Sequence, residues 1–531
     1  MKKNKRKSYY LPLKIDRRVH SPFSDIVKIK TKSNGQGVIK AFLVFGIIAF
    51  QMLLFIVLHS AFMLSFKWTA LFTFIMSLIT CVYVLSSNKN SQSKALWIIF
   101  LLLFFPVAYI FYLVSDERLI MVGARRKFLK TFNSSKDLLK PDLKEIQNKD
   151  ILNDCAYLYN AGGFLPFNNT KAEYFSSGSS FFDDVIEKIK NAKKFIFIEF
   201  FIVADGVLLE RILSVLEERA KNGVDIRIIY DDMGSHRVLK RKTKKLIRRA
   251  GIKLKPFNKV LPFFSASLNY RDHRKIIVVD GECAYTGGCN LADEYINVKR
   301  MHGYWKDSGI RIDGKGVNAF TLMFLRQWEF LVASKEDYSL FLSQNTKVDS
   351  QSIFVPYADG LDYKENVAKG VYENMIASAK QKIYIMTPYF IVDDYISNML
   401  KTKAMSGVDV KIIIPELPDK AFVYGVTRNN AEKLVPFGVK VYLMKSSFVH
   451  SKVLLTENSV AIGSVNMDLR SFYQQFECGV FTDDIATLEN VGLDFENTIK
   501  ESLLITEKNK LRNHIIYRAF AGVMQIFAPF M

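Results

Sequence analysis

The chain has 531 residues, too many for one ordinary core, so several domains or one large duplicated one are expected. Its 49% hydrophobic content, with 43 Phe, is high for a soluble protein and concentrates before residue 116, while the formal charge is +22. Five cysteines (Cys81, Cys155, Cys283, Cys289, Cys478) in no metal-ligand spacing, and seven histidines without a His-x-x-x-His pair, argue against a disulfide framework and a structural zinc site.

Residues 1–40 form a basic arm with twelve Lys/Arg against two Asp. Three uncharged apolar segments follow, 41–64, 68–86 and 95–115. Each approaches the roughly 20 helical residues that cross a hydrocarbon core of about 30 Å. They read as transmembrane helices of a multi-pass cell-membrane anchor, and no small-residue cleavage site follows the first. Charges pull its orientation both ways. The arm, Lys89 and Lys94 favour the cytoplasm, and three full spans would then place the body outside. Arg118, Arg125, Arg126, Lys127 and Lys130 instead hold the end of the third segment inside. Residues 116–169 connect the anchor to the body.

From residue 170 the pattern is that of a globular α/β protein. Phe182, Val185, Ile186 and Ile189 share one helical face, and a buried strand follows within Lys193–Asp205. The same order returns at Gln381–Asp393. Gly223-Val-Asp-Ile matches Gly407-Val-Asp-Val at an offset of 184 residues, and Gly251-Ile-Lys-Leu matches Gly438-Val-Lys-Val at 187. Glycine followed by a β-branched run is a helix-to-strand turn. The body is therefore two similar β/α halves, 170–340 and 350–500, joined by the polar stretch Ser334–Ser350, with an amphipathic tail over 501–531.

Each half carries one copy of a chemical motif. His273-Arg-Lys275 runs through Asp280 to Gly287-Gly288-Cys289-Asn290; His450-Ser-Lys452 runs through Glu457 to Gly463-Ser464-Val465-Asn466. Two imidazoles, two ammonium groups and two amides suit phosphodiester exchange at one site on the pseudo-twofold between the halves. Lys275 and Lys452 can neutralise the non-bridging oxygens, and Asn290 and Asn466 can donate to them. One histidine attacks phosphorus while the other handles the proton of the leaving and entering oxygens. Each ring needs an acceptor to set its tautomer, for which Asp307 and Glu477 are placed downstream.

These residues resemble the phospholipase D superfamily over roughly 170–500, through His-x-Lys-x₄-Asp followed by Gly-Gly/Ser-x-Asn. Within it the chain is similar to bacterial cardiolipin synthases. Asp231-Asp-Met-Gly-Ser235, Thr286–Asn290, Trp305-Lys-Asp307, Asn466-Met-Asp-Leu-Arg-Ser-Phe472 and the final Phe527-Ala-Pro-Phe-Met531 carry that likeness. It implies a metal- and cofactor-independent phosphatidyl transfer between two phosphatidylglycerol molecules, through a phosphohistidine, giving cardiolipin and glycerol. Hydrolysis or head-group exchange is the alternative. It also implies that Asp307 orients His273 and Glu477 orients His450. The catalytic set includes Asp280 and Glu457 with the histidines and lysines, although the family implies a mainly structural carboxylate there. Glu457 departs from the usual Asp, and the second motif is one residue shorter between His and Gly.

The basic run Arg237–Lys255, with ten basic residues and no acid, suits anionic membrane lipid better than nucleic acid in a chain with an apolar anchor. His236 and His302 read as loop or helix residues. Pro262-Phe-Phe264 reads as a lipid-facing lid or loop packing. Tyr517, Phe520, Met524 and Phe527 lie at helical spacing in the tail, facing the membrane interface or the body.

Overall fold

The computed structural model describes residues 60, 67–87, 89–104, 108–109, 111–112, 122–135, 138–139, 146–260, 270–343, 348, 350–361, 363 and 365–530. The basic arm, the apolar segment 41–64 apart from Ser60, and Pro262-Phe-Phe264 lie outside them. Among the described residues no helix is long and apolar enough to cross a membrane.

Two apolar helices come first, α1 (Lys67–Leu85) and α2 (Ser91–Phe104). They pair through a Ser77 hydroxyl that donates to the Leu101 carbonyl at 3.0 Å and through Cys81, Val84, Leu101, Ala108 and Tyr112. Their outward faces leave Phe74, Leu78, Val82, Leu102 and Leu103 exposed. Next come α3 (Val122–Ser135) and α4 (Lys149–Gly162). Asn148 caps α4 by accepting the Asp150 N–H at 2.9 Å, and Gly163 ends it in the left-handed region at φ 69°. These two helices are not a loose connection. Phe128 of α3 stacks on Phe330 with centroids 3.8 Å apart, and α4 packs on the second half.

The first half contains β1 (Thr170–Phe175), α5 (Gly178–Lys190), β2 (Phe195–Phe200), α6 (Val207–Lys221), β3 (Asp225–Asp231), α7 (Arg241–Arg249), β4 (Lys253–Phe257), β5 (Lys275–Val279), β6 (Cys283–Gly287), β7 (Tyr304–Lys306), β8 (Gly309–Gly314) and α8 (Val317–Val332). Its sheet order is β1-β8-β6-β5-β2-β3-β4. The second half contains β9 (Phe354–Asp359), α9 (Val367–Ser378), β10 (Lys382–Met386), β11 (Phe390–Ile391), α10 (Asp394–Met405), β12 (Asp409–Pro415), α11 (Ala421–Glu432), β13 (Lys440–Met444), β14 (Ser447–Val449), β15 (Val453–Thr456), β16 (Val460–Gly463), β17 (Met467–Asp468), α12 (Leu469–Tyr473), β18 (Glu477–Thr482), α13 (Ile485–Lys500) and β19 (Ser502–Leu504). Its order, β19-β13-β12-β10-β15-β16-β18-β9, repeats the first with β19 added at the edge. Helix α14 (Ile515–Ile526) and a short turn, Ala528–Phe530, follow.

The apolar periodicity explains the layers. Phe195–Phe200 is buried throughout, as expected of a strand covered on both faces, and α5 buries Phe181, Phe182, Val185, Ile186 and Ile189 against it. The opposite faces of both sheets share one core, in which Ile276, Val278 and Ala284 join Tyr357, Ile462 and Val480. That shared core holds the halves back to back. The stretch between them is also anchored, because Phe341 packs on Phe195 at 5.2 Å.

Candidate active site

In each half the motif histidine precedes a strand antiparallel to the first parallel strand. Lys275 pairs with Phe200 and Val453 with Met386, which places both His-x-Lys pairs at the carboxyl ends of the parallel strands. Ligand sites of open α/β sheets occur there. The two lead-in segments then cross to the other half. The His450 N–H donates to the Lys306 carbonyl at 2.6 Å, and the His273 N–H donates to the Phe476 carbonyl at 2.9 Å. Strand β14 pairs in parallel with β7, and Asp272 bridges Phe476 in the same sense.

This crossing decides the carboxylate pairing. His273 Nδ1 lies 2.9 and 3.0 Å from the Glu477 oxygens, and His450 Nδ1 lies 2.7 Å from Asp307 Oδ2. The expected pairing, Asp307 with His273 and Glu477 with His450, is therefore corrected: each histidine is held by the carboxylate of the other half. Sequence proximity misled because β7 and the residues before β18 pair across the pseudo-twofold.

Asp280 and Glu457 do not join the site. Asp280 lies past the far end of β5, in the left-handed region at φ 54°, and accepts the N–H groups of Lys193, Lys194 and Phe195 at 2.6–2.8 Å. Glu457 accepts those of Lys380 and Lys382 at 2.6 and 3.2 Å. Both tie a hairpin end to the start of the neighbouring strand, so their place in the catalytic set is corrected to a structural one. Each carboxylate lies five residues after its lysine, and the residue missing from the second motif falls in the hairpin between Glu457 and Gly463.

The residues between histidine and carboxylate are matched. A Cβ on Gly288 would fall 2.0 Å from Asp307 Oδ1, so only glycine leaves room for that carboxylate. The equivalent residue, Ser464, donates its hydroxyl to Glu477. Asn290 accepts the Ile202 N–H at 3.1 Å and donates to the Tyr295 hydroxyl at 2.6 Å, which leaves one amide hydrogen for a ligand. Asn466 is buried, with no hydrogen bond to its Oδ1. Asp231 accepts the Asp272 N–H at 3.0 Å and pairs with Arg271 at 3.7 Å, bracing the peptide before His273.

Electrostatics follow from burial. Lys275 and Lys452 are 1% exposed and donate to the carbonyls of His273 and His450. Burial lowers Lys275 to about 8 and Lys452 to about 7, against the attraction of Glu477 and Asp307. The same desolvation, reinforced by the two lysines, holds both histidines well below the ordinary imidazole value. It also raises Asp307 to about 6 and Glu477 well above the usual carboxylate range. Four basic groups facing two carboxylates in a dry site repel one another when all are protonated, and a bound anion would relieve that repulsion.

Aromatic rings wall the site. Phe201 lies 5.1 Å from the His273 ring, and Tyr295 and Trp305 each lie 5.3 Å from His450. Phe201 and Tyr295 carried no motif signal. Arg470, whose charge reaches His273, was visible only as part of Asn466–Phe472. His302 packs 6.4 Å from Trp305, at the edge of this aromatic wall. Among the described residues no His/Cys/Asp/Glu group is arranged to hold a metal ion.

Comparison with known proteins places this geometry. The family model described as "Cardiolipin synthase, PLD-like domain" matches residues 185–302 and 372–499, one His-x-Lys pair in each match. The cardiolipin synthase 2 of Staphylococcus epidermidis is 35% identical over 377 residues, covering 70% of this chain and 77% of its own. A cardiolipin synthase of Staphylococcus aureus is 32% identical over 495 residues, covering 90% of this chain and 97% of its own. The crystal structure of a phosphatidylserine synthase from Haemophilus influenzae shares the fold, with a TM-score of 0.54 and 16% identity, over 72% of this chain and all of that one.

Proposed function

The chain belongs to the cardiolipin synthases with phospholipase D-like domains, and we propose that its crossed His–carboxylate pairs transfer a phosphatidyl group between two phosphatidylglycerol molecules. The products are cardiolipin and glycerol. The observation that carries the reading is the placement of both His-x-Lys pairs in one buried site, each ring aimed by the opposite half.

His273 is the nucleophile in this reading. Its Nδ1 faces the Glu477 carboxylate, which places the proton on Nδ1 and leaves the lone pair on Nε2. His450 Nδ1 has two suitors, Asp307 and the Lys452 ammonium at 2.8 Å. A phosphate drawing Lys452 away leaves that ring to Asp307, which supports the protonated state a general acid needs. In the first step the Nε2–P bond forms and the bond from phosphorus to the glycerol head group breaks. His450 gives its proton to the departing glycerol oxygen. In the second step the terminal head-group hydroxyl of another phosphatidylglycerol attacks phosphorus, His450 takes the proton, and the Nε2–P bond breaks. Lys275, Lys452, Asn290 and Asn466 stabilise the charge on the non-bridging oxygens throughout.

The substrate supports a bacterial plasma-membrane location with the apolar segments as a multi-pass anchor. Purified protein in mixed micelles with head-group- and acyl-labelled phosphatidylglycerol tests the reaction. Equal release of glycerol and cardiolipin, abolished by His273→Ala and by His450→Ala, is expected. Glycerol with phosphatidic acid and no cardiolipin would make the enzyme a hydrolase instead.

A further inference from the structure

Helix α14 is apolar on two opposite faces. Its inner face packs on α11: the Tyr517 hydroxyl donates to the Gly425 carbonyl at 2.8 Å, Ala521 is buried, and Met524 joins Ile391, Val423, Val426 and Leu469. Its outer face carries Ile515, Ile516, Val523, Ile526 and Phe527, with Ile515 71% and Ile516 82% exposed. With only Arg518 and Gln525 as polar side chains apart from the Tyr517 hydroxyl, the helix keeps a large apolar surface outward, and an exposed apolar patch of this kind marks a partner.

We infer that this outer face is a lipid-docking surface, seated in the interface of an anionic bilayer beside the active-site half that it braces. Three observations select lipid as the occupant. Helix α14 contacts α2, and Gln525 bonds Gln92 at 3.4 Å, so it stands beside the helix pair α1 and α2, whose outward faces are also apolar. The same helix carries the exposed Arg518, in a chain of net charge +22. Anionic head groups attract such cations while the apolar face enters the acyl boundary. Moreover, α11 follows β12 in the second half, at the same carboxyl end of the parallel strands as His450 and Lys452, so lipid seated on α14 lies on the substrate side of the sheet.

The docked helix reaches the catalytic residues through the turn after it. Ala528 is fully buried against the cluster that contains Leu469, and Gln474 donates to the Pro529 carbonyl at 3.5 Å. Leu469 opens α12, which carries Arg470 and Ser471. The Ser471 N–H caps onto Asp468 at 2.8 Å, and its hydroxyl favours the ionised form of Glu477. Seating on the bilayer thus stabilises the helix that supports the His273 carboxylate.

The surface is inferred on the lipid-substrate reading, but its test is separable from it. All five native cysteines are buried, so Val523→Cys can be labelled selectively in the full-length protein with an environment-sensitive fluorophore. The protein is reconstituted in phosphatidylglycerol/phosphatidylcholine vesicles that contain brominated lipid. Val523 should lose at least about half its emission, and a label at exposed Glu496 on α13 should lose little. An unquenched Val523 label overturns the proposal, and cross-linking of Val523→Cys between copies without quenching would assign the face to a second copy. Quenching without any cardiolipin formed would keep the surface and remove the proposed reaction. Val523→Asp should lower the ratio of rates on vesicles to rates on monomeric short-chain substrate about tenfold; an unchanged ratio contradicts the inference.

Discussion

At the scale of single residues, the two lysines matter as much as the two histidines. Lys452 titrates at about 7 and Lys275 at about 8 in the folded protein, against an ordinary 10.5. Between those values the unfolded chain binds more protons than the folded one, so stability rises with pH and is lost as pH falls toward 7. Each lysine contributes a slope of up to roughly 1.4 kcal/mol per pH unit. Thermal unfolding of the ligand-free protein from pH 7 to 9 should show Tm rising more steeply in wild type than in Lys452→Met. Identical slopes would show that Lys452 is charged in the folded state. A second prediction concerns Glu477. Glu477→Gln cannot stabilise a His273 imidazolium and should reduce kcat by about 10²–10⁴-fold with a smaller change in KM. A pure KM effect would show that Glu477 does not aim or activate the His273 nucleophile.

Among elements, the strands that cross between halves decide the geometry, and the two crossings are secured differently. Beside Asp307, the Lys306 ammonium forms a 2.7 Å ion pair with Asp494 of α13, which also accepts the Tyr174 hydroxyl at 2.7 Å. Beside Glu477, Phe476 packs on Phe128 of α3 at 5.3 Å and under Arg274. The first crossing also packs Trp305 on Phe448 at 4.7 Å, and the second also pairs Arg274 with Glu199 at 2.8 Å. Asp494→Asn leaves the buried Lys306 charge without its counter-charge, a change that typically costs about 3–5 kcal/mol. It should lower Tm and shift the alkaline limb of the kcat profile, where His450 loses the proton it gives to the leaving group; a lowered Tm with an unmoved profile would leave Asp494 a structural role alone. The hairpin carboxylates behave oppositely. Asp280→Ala should cost stability through three lost hydrogen bonds to backbone N–H groups, while kcat per folded molecule stays within about twofold. A selective kcat loss would return Asp280 to the catalytic set.

On the scale of the whole molecule, one chain builds one site from two copies of a half. The shared core between the sheets and the crossed backbone bonds make the halves interdependent. Co-reconstituting His273→Ala with His450→Ala should therefore restore no cardiolipin formation above the single variants. Recovery to about a quarter of wild type in an equal mixture would mean that halves exchange between chains. Helix α3 and the C-terminal turn also converge on one dyad, since α3 packs Phe128 on Phe476 and the turn packs on α12. Both lie beside Glu477, the carboxylate of His273.

Much of this was legible along the chain because periodicity and repetition are local. Apolar runs announced β2 and β10, the repeated Gly-Val-Asp pattern announced β3 and β12, and two His-x-Lys copies announced a shared site. The family followed from the spacing of residues that must meet one phosphate. What the sequence could not determine was which groups meet across the pseudo-twofold. Asp307 lies 34 residues after His273 yet bonds His450, and Glu477 lies 27 after His450 yet bonds His273. Likewise the tail showed a helical stripe, but only packing revealed that Tyr517 and Met524 face the body while Ile516 and Val523 face outward. Such pairings are set by strand crossing and core packing between distant segments, which leave no trace in local spacing.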